Sequence, residues 1–154
     1  RGRFVGDAGA ARIYWVNPVA DLRAMNLLEE LGGRVCGSDH MFTHALDMIP
    51  EDLPPLEALA RVALADLMVG PATDRAARIL RECRASRAEA VVVSRIPGAS
   101  HCAREGKIIL EMVRREIGIP AVELEIPPVC DALRPSLASQ LQALMETARA
   151  RRRA

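Results

Sequence analysis

The stretch Ala90-Val91-Val92-Val93-Ser94 is an unbroken apolar run ending in a serine, with no polar alternation. Such a run marks a strand covered on both faces, and strands of that kind belong to parallel sheets flanked by helices. Ile96 to Ser100 follows as a tight loop around Pro97-Gly98, and a helix is expected from about His101 to Ile117, stopped by Gly118. Ala121 to Ile126 then reads as the last strand, ended by Pro127-Pro128. Strand, turn, helix and strand in this order form one parallel crossover unit.

The same rhythm extends upstream. Arg12 to Val16 has strand character, and Asn17-Pro18 offers an N-cap followed by proline at the first helical position. A helix to about Leu31 follows, with Leu22, Met25, Leu28 and Leu31 on one face and Gly32-Gly33 as its stop. Arg34 to Gly37 reads as a second short strand. Ser38 to Pro55 lacks periodicity and is expected to be a long loop, with room for one helical turn around Phe42 to Leu46. Leu56 to Met68 and a segment capped by Thr73 or Asp74 and running to Ser86 read as helices separated by Gly70-Pro71. Pro135 opens a terminal helix through Leu137, Leu141, Leu144 and Met145 to an arginine run expected to be solvated. The expected fold is α/β: a doubly wound, flavodoxin-like parallel sheet of about four strands. Residues 1–10 read as a linker or the end of a preceding domain, and 11–154 as a single domain. The opening Arg1-Gly2-Arg3, without Met, suggests a longer parent protein, of which this would be a C-terminal fragment.

Composition narrows the function. The 154 residues are 50% hydrophobic and 27% charged, with 21 basic against 20 acidic side chains. That balance gives no broad positive field for nucleic acid or acidic lipid. The aromatics are Phe4, Tyr14, Trp15 and Phe42, too few for stacking bases. No apolar run approaches the ~20 residues of a membrane span. Cys36, Cys83, Cys102 and Cys130 form no C-x-x-C pair, and nothing resembles a signal peptide, so a reducing cytoplasm is expected. The phosphate-binding patterns G-x-G-x-x-G and G-x-x-x-x-G-K-[ST] are missing, as is the G-x-S-x-G elbow.

Parallel sheets of this type bind ligands at the carboxyl ends of their strands, which directs attention to Asn17-Pro18, Gly37 to His44, Ser94 to Cys102 and Ile126 to Asp131. With Ser100 as cap, Cys102 falls in the first turn of a helix, where unpaired N–H groups and the helix dipole favour a thiolate. The same position equally suits a small cysteine packing that turn. Cys130 follows the last strand and either approaches the same edge or lies covered in a loop. Cys36 is expected in the core and Cys83 as a packing residue. His40 and His44, four apart beside Asp39, have a spacing that suits zinc, without an evident third ligand.

Three features together resemble the 2-hydroxyacyl-CoA dehydratase and benzoyl-CoA reductase family, in its C-terminal domain. They are Arg12-Ile13-Tyr14-Trp15-Val16-Asn17-Pro18, the helix end Leu27-Leu28-Glu29-Glu30-Leu31-Gly32-Gly33, and the Cys102 turn followed by Gly118-Ile119-Pro120 and strand 121–126. The resemblance implies a cytoplasmic enzyme component of anaerobic metabolism: one subunit of a heterodimer with a paralogous partner, acting on an acyl-CoA. It implies a 4Fe-4S cluster held by three cysteines and fed single electrons by an ATP-dependent iron-sulfur activator protein. Cys102 matches the last of those three, with Cys130 as the neighbouring candidate, and the others fall outside this chain. Ser94, Arg95, Ser100 and His101 are the cofactor-binding candidates on the same turn. Two other classes stay open: a scaffold subunit that holds no cluster, and a free-standing flavodoxin-like module binding a ligand without metal.

Overall fold

A computed structural model describes residues 9–16, 21–41, 48–66, 68–98, 104–127 and 131–153. The strands are β1 (Ala11–Val16), β2 (Gly33–Asp39), β3 (Ala90–Arg95) and β4 (Ala121–Glu125). Among the described residues the helices are α1 (Leu22–Glu30), α2 (Pro55–Ala65), α3 (Ala72–Ala85), α4 (Glu105–Glu116) and α5 (Arg134–Arg153), the last preceded by a 3-10 turn at Asp131–Leu133. The four strands pair in the order β2-β1-β3-β4, all parallel, so every carboxyl end lies on one edge. The doubly wound α/β fold expected from the alternating pattern is the fold observed.

Alternation along each strand divides the core. Ile13 and Trp15 of β1, Val92 of β3 and Leu124 of β4 face α1 and α5, whose Leu28, Leu141 and Met145 complete that layer. Tyr14, Val16, Val91 and Val93 face the other way, against Ile79, Leu80 and Cys83 of α3 and Ile109 and Val113 of α4. The helix after β1 therefore covers one face and the helix after β3 covers the other. The winding reverses between these two adjacent strands, and a crevice at their carboxyl ends is where doubly wound sheets bind ligands.

Element limits depart from expectation where single capping residues had to be chosen. Helix α1 starts later than Asn17-Pro18 implies, because Asp21 is its cap and accepts a hydrogen bond from the Ala24 amide at 3.1 Å. Helix α3 starts at Ala72 with Pro71 at the cap and no side-chain cap bond, so neither Thr73 nor Asp74 caps it. Helix α4 runs from Glu105 with Arg104 as its cap, later than the start near His101 expected from the sequence; Ser100, His101 and Cys102 lie outside the described residues. Strand β2 continues to Asp39, which removes Ser38 and Asp39 from the expected loop. The expected helical turn at 42–46 lies outside the described residues. Both glycine stops hold: Gly32 and Gly118 have φ of +84° and +63°, the left-handed region that glycine adopts without a Cβ clash.

Two further departures have packing causes. The β1–β2 register slips between Ile13 and Tyr14, so Cys36 is the extra residue of a bulge. It is half-buried and not a core residue; the neighbouring Gly37 packs beneath the Tyr14 ring, where an added Cβ would sit 2.8 Å from Cε2. The terminal arginines are not merely solvated. Arg149 donates to the Gly32 carbonyl at 2.9 Å, and Arg152 pairs with Glu89 and donates to the Ala10 carbonyl at 3.1 Å. Helix α2 buries only Ala58 and leaves Leu56, Leu59 and Leu64 exposed. No helix of the described residues is long and apolar enough to cross a membrane.

Candidate functional site

The carboxyl edge of the sheet is formed by Val16, Asp39, Arg95 and Glu125. Val16 and Arg95 end adjacent parallel strands, so the segments after them leave the sheet from the same edge, as the sequence predicts. Asn17, Pro18, His44, Ser100, His101, Cys102 and Cys130 themselves lie outside the described residues.

Ser94 and Arg95 point to opposite faces because they are consecutive in a strand. Ser94 is buried on the α1/α5 side, where its hydroxyl oxygen accepts a hydrogen bond from Trp15 Nε1 at 3.0 Å. Arg95 is partly exposed and meets two carboxylates of β4, Glu123 at 3.5 Å and Glu125 at 2.9 Å. It borders an open groove of about 550 Å³ at the β3–β4 corner, closed by Pro97, Pro127 and the start of α5 around Leu133 and Ser136. With one guanidinium between two carboxylates, this groove does not attract an anion on charge alone.

The edge also carries a buried ionic group. Arg75, in the first turns of α3, donates through Nε to Asp39 at 2.8 Å and through Nη1 to Glu105 at 2.6 Å. Arg75 and Asp39 are each 3% exposed at the side chain, and Glu105 is 28% exposed. One guanidinium thus ties the end of β2 and the start of α4 to the start of α3. His40, the next residue after Asp39, is buried as well. Among the described residues no group of three or more His, Cys, Asp or Glu side chains is placed to hold a metal.

The two described cysteines are poor ligands. Burial pushes the Cys83 thiol up to about 12, and the Cys36 thiol also rises by burial, so both stay protonated at neutral pH. Tyr14 is raised too, first by burial and then by the hydrogen bond it donates to Glu82. Cys83 is the packing residue expected of it, 1% exposed. Neither described cysteine thus offers a thiolate to a metal at neutral pH. Strands β3 and β4 are neighbours in register at Arg95 and Glu125, so the chain leaves both from the same edge of the sheet.

Sequence reasoning missed Arg75 and its partners. The available signal was an arginine inside the apolar stripe of α3, since Arg75, Ala76, Ile79, Leu80 and Cys83 all face the core.

The family model for 2-hydroxyglutaryl-CoA dehydratase, D-component, matches residues 2–147. No curated protein matches the chain.

Proposed function

Because the chain belongs to the 2-hydroxyglutaryl-CoA dehydratase D-component family, we propose that it forms the C-terminal α/β domain of a longer dehydratase subunit that helps to hold a 4Fe-4S cluster. Cys102 supplies one thiolate ligand, and Cys130 is the second candidate. The observation that carries this reading is the pairing of β3 with β4, because it sends both cysteine-bearing segments off one edge beside the reversal of winding. Thiolates are the ligands that iron-sulfur clusters require, and nearby N–H donors and burial tune their potential.

Bound there, such a cluster would supply single electrons to the carbonyl of an acyl-CoA thioester. In that reading one electron would give a ketyl radical anion, loss of the neighbouring hydroxyl as hydroxide and of a proton would follow, and the electron would be returned at the end, so that dehydration is redox-neutral overall. In a benzoyl-CoA reductase two electrons and two protons would go to the aromatic ring instead. Arg95 ends β3 and Ser100 and His101 follow it in sequence; in this reading they meet cofactor or substrate. Ser94 acts one step further back, through the hydrogen bond that holds Trp15. A paralogous subunit and an ATP-dependent iron-sulfur activator complete the system in this reading, which belongs in the cytoplasm.

Iron and acid-labile sulfide in the anaerobically purified intact subunit test the proposal. Stoichiometric iron in the native protein, lost in Cys102→Ser and retained in Cys83→Ser, is the expected result. Cys130→Ser separates the two ligand candidates, since iron loss there moves the assignment to Cys130 or divides it between both. Absence of iron and sulfide from the native subunit would overturn the reading in favour of a cluster-free scaffold or a flavodoxin-like ligand module.

A further inference from the structure

Helix α2 carries its large apolar side chains on the outside. Ala58 is its one buried residue, while Leu56, Leu59 and Leu64 are 84%, 52% and 77% exposed. At about 100° per residue, Leu56, Leu59, Ala60, Ala63 and Leu64 share an arc of about 140° that holds no charged side chain. The adjoining segments add exposed Met48, Ile49 and Val69. Among the described residues no strand or helix packs broadly against α2. Short helices are marginal in water and are held in proteins chiefly by packing of an apolar face, so an uncovered face of this kind marks a contact surface.

We propose that α2 is a self-complementary interface through which two copies of this chain associate, the two helices antiparallel about a two-fold axis at Ala60. Leu56 and Leu64 stand four residues to either side of Ala60, so that axis sets Leu56 of each copy against Leu64 of the other. The small Ala60 and Ala63 lie where the helices approach most closely. Charge supports the same arrangement. Glu57 and Arg61 border the arc on one side, exposed and paired at 2.8 Å within the helix. Antiparallel pairing brings Glu57 of each copy beside Arg61 of the other, so opposite charges flank the apolar contact. The area is adequate as well: the six exposed apolar residues leave roughly 700 Å² open per copy, so two copies would cover up to roughly 1,400 Å², within the range of specific interfaces. None of the residues read as cluster ligands takes part, so the interface stands whether or not the cluster does.

The test is sedimentation equilibrium of the intact subunit, expressed without any other subunit, from about 1 to 100 μM, the weak end for an interface of this size. The native subunit should pass from monomer to dimer within that range. Ala60→Glu, which sets two carboxylates against each other at the axis, should leave it monomeric. Ala60 is exposed and glutamate is a good helix former, so circular dichroism should show the fold retained. Glu57→Arg and Arg61→Glu should each weaken association at least about tenfold by bringing like charges together. Mixed in equal amounts, these two variants should pair with each other at close to native affinity, because opposite charges then meet again across the axis. A native subunit that stays monomeric to about 100 μM, or a dimer that all three variants leave unchanged, would overturn the proposal. Charge variants that dissociate alone and fail to pair when mixed would overturn it too. So would a native subunit that is monomeric by itself but binds a different subunit, with Ala60→Glu abolishing that binding, since the face would then belong to the other subunit.

Discussion

The Trp15 indole donates a hydrogen bond to the Ser94 hydroxyl across the β1–β3 pair, at 3.0 Å and out of contact with solvent. The two residues are each one short of the end of adjacent strands whose helices depart to opposite faces, so the bond stitches the sheet at the point where its winding reverses. Trp15 is the sole tryptophan of the chain, which makes its fluorescence a direct report on that point.

Ser94→Ala should leave the indole N–H buried without this partner and cost about 1–3 kcal/mol in urea unfolding. Tryptophan emission of the folded protein should move to shorter wavelength, since a polar neighbour has been removed. Ser94→Thr, which keeps the hydroxyl, should restore much of the stability. A stability loss without an emission change would place the effect elsewhere than on the Trp15 bond.

Arg75→Met should destabilise the fold by about 3–5 kcal/mol, because it removes the guanidinium that pairs with the buried Asp39 carboxylate. Combining it with Asp39→Asn and Glu105→Gln should recover more than half of that loss, as the two carboxylate charges that faced the guanidinium are then removed with it. A double-mutant cycle in chemical denaturation measures the coupling, and additive losses would show that the three side chains do not act as one group.

How much of this was legible in the sequence depends on the range of the signal. Val91, Val92 and Val93 announce a strand buried on both faces by themselves, and Ile13 to Val16 does the same for β1. Strand β2, with Gly33, Arg34, Gly37, Ser38 and Asp39, carries no such run and extends beyond the Gly37 end expected. Helix starts were displaced because several residues before each helix have capping chemistry, and only the fold decides between Asn17 and Asp21, or among Pro71, Thr73 and Asp74. The clamp was hidden for a different reason. Arg75 finds its partners 36 residues earlier and 30 residues later, and no local pattern encodes such a meeting. The bulge that lifts Cys36 out of the core is likewise a property of how β2 pairs, not of the segment's own composition.

Glu89 gives the fold an acid limit. Burial raises its carboxyl, but hydrogen bonds from Arg152 and the Arg12 amide, with the charges of both arginines, outweigh burial and leave it below the ordinary carboxylate value. A group depressed in the folded state contributes stability above its unfolded pKa, near 4.5, and loses it as pH falls through the lower folded value. The stability difference between the native protein and Glu89→Gln should therefore be constant from pH 7 to about 5 and shrink below it. Urea titrations across that range check the sign; a difference that grew on acidification would refute it.

Cys83 should be chemically silent in the folded protein. With its thiol pushed up to about 12, the thiolate fraction at pH 8.5 lies two to three orders of magnitude below that of a free cysteine, roughly the deficit expected in its alkylation rate. Iodoacetamide should modify it only after unfolding in urea, and rapid modification in native buffer would contradict the packing described for α3.

The bond from Arg152 to the Ala10 carbonyl brings the two ends of the folded body together at the amino edge of the sheet, opposite the candidate site. A body whose entrance and exit coincide behaves as a pendant: it can be grafted to a neighbour through one hinge point while its working edge stays turned outward. It can also be re-spliced. A short bridge from residue 153 back to residue 9, with a new opening at the exposed Gly70 between α2 and α3, should give a circular permutant with the same sheet order, because that cut crosses neither strand nor helix.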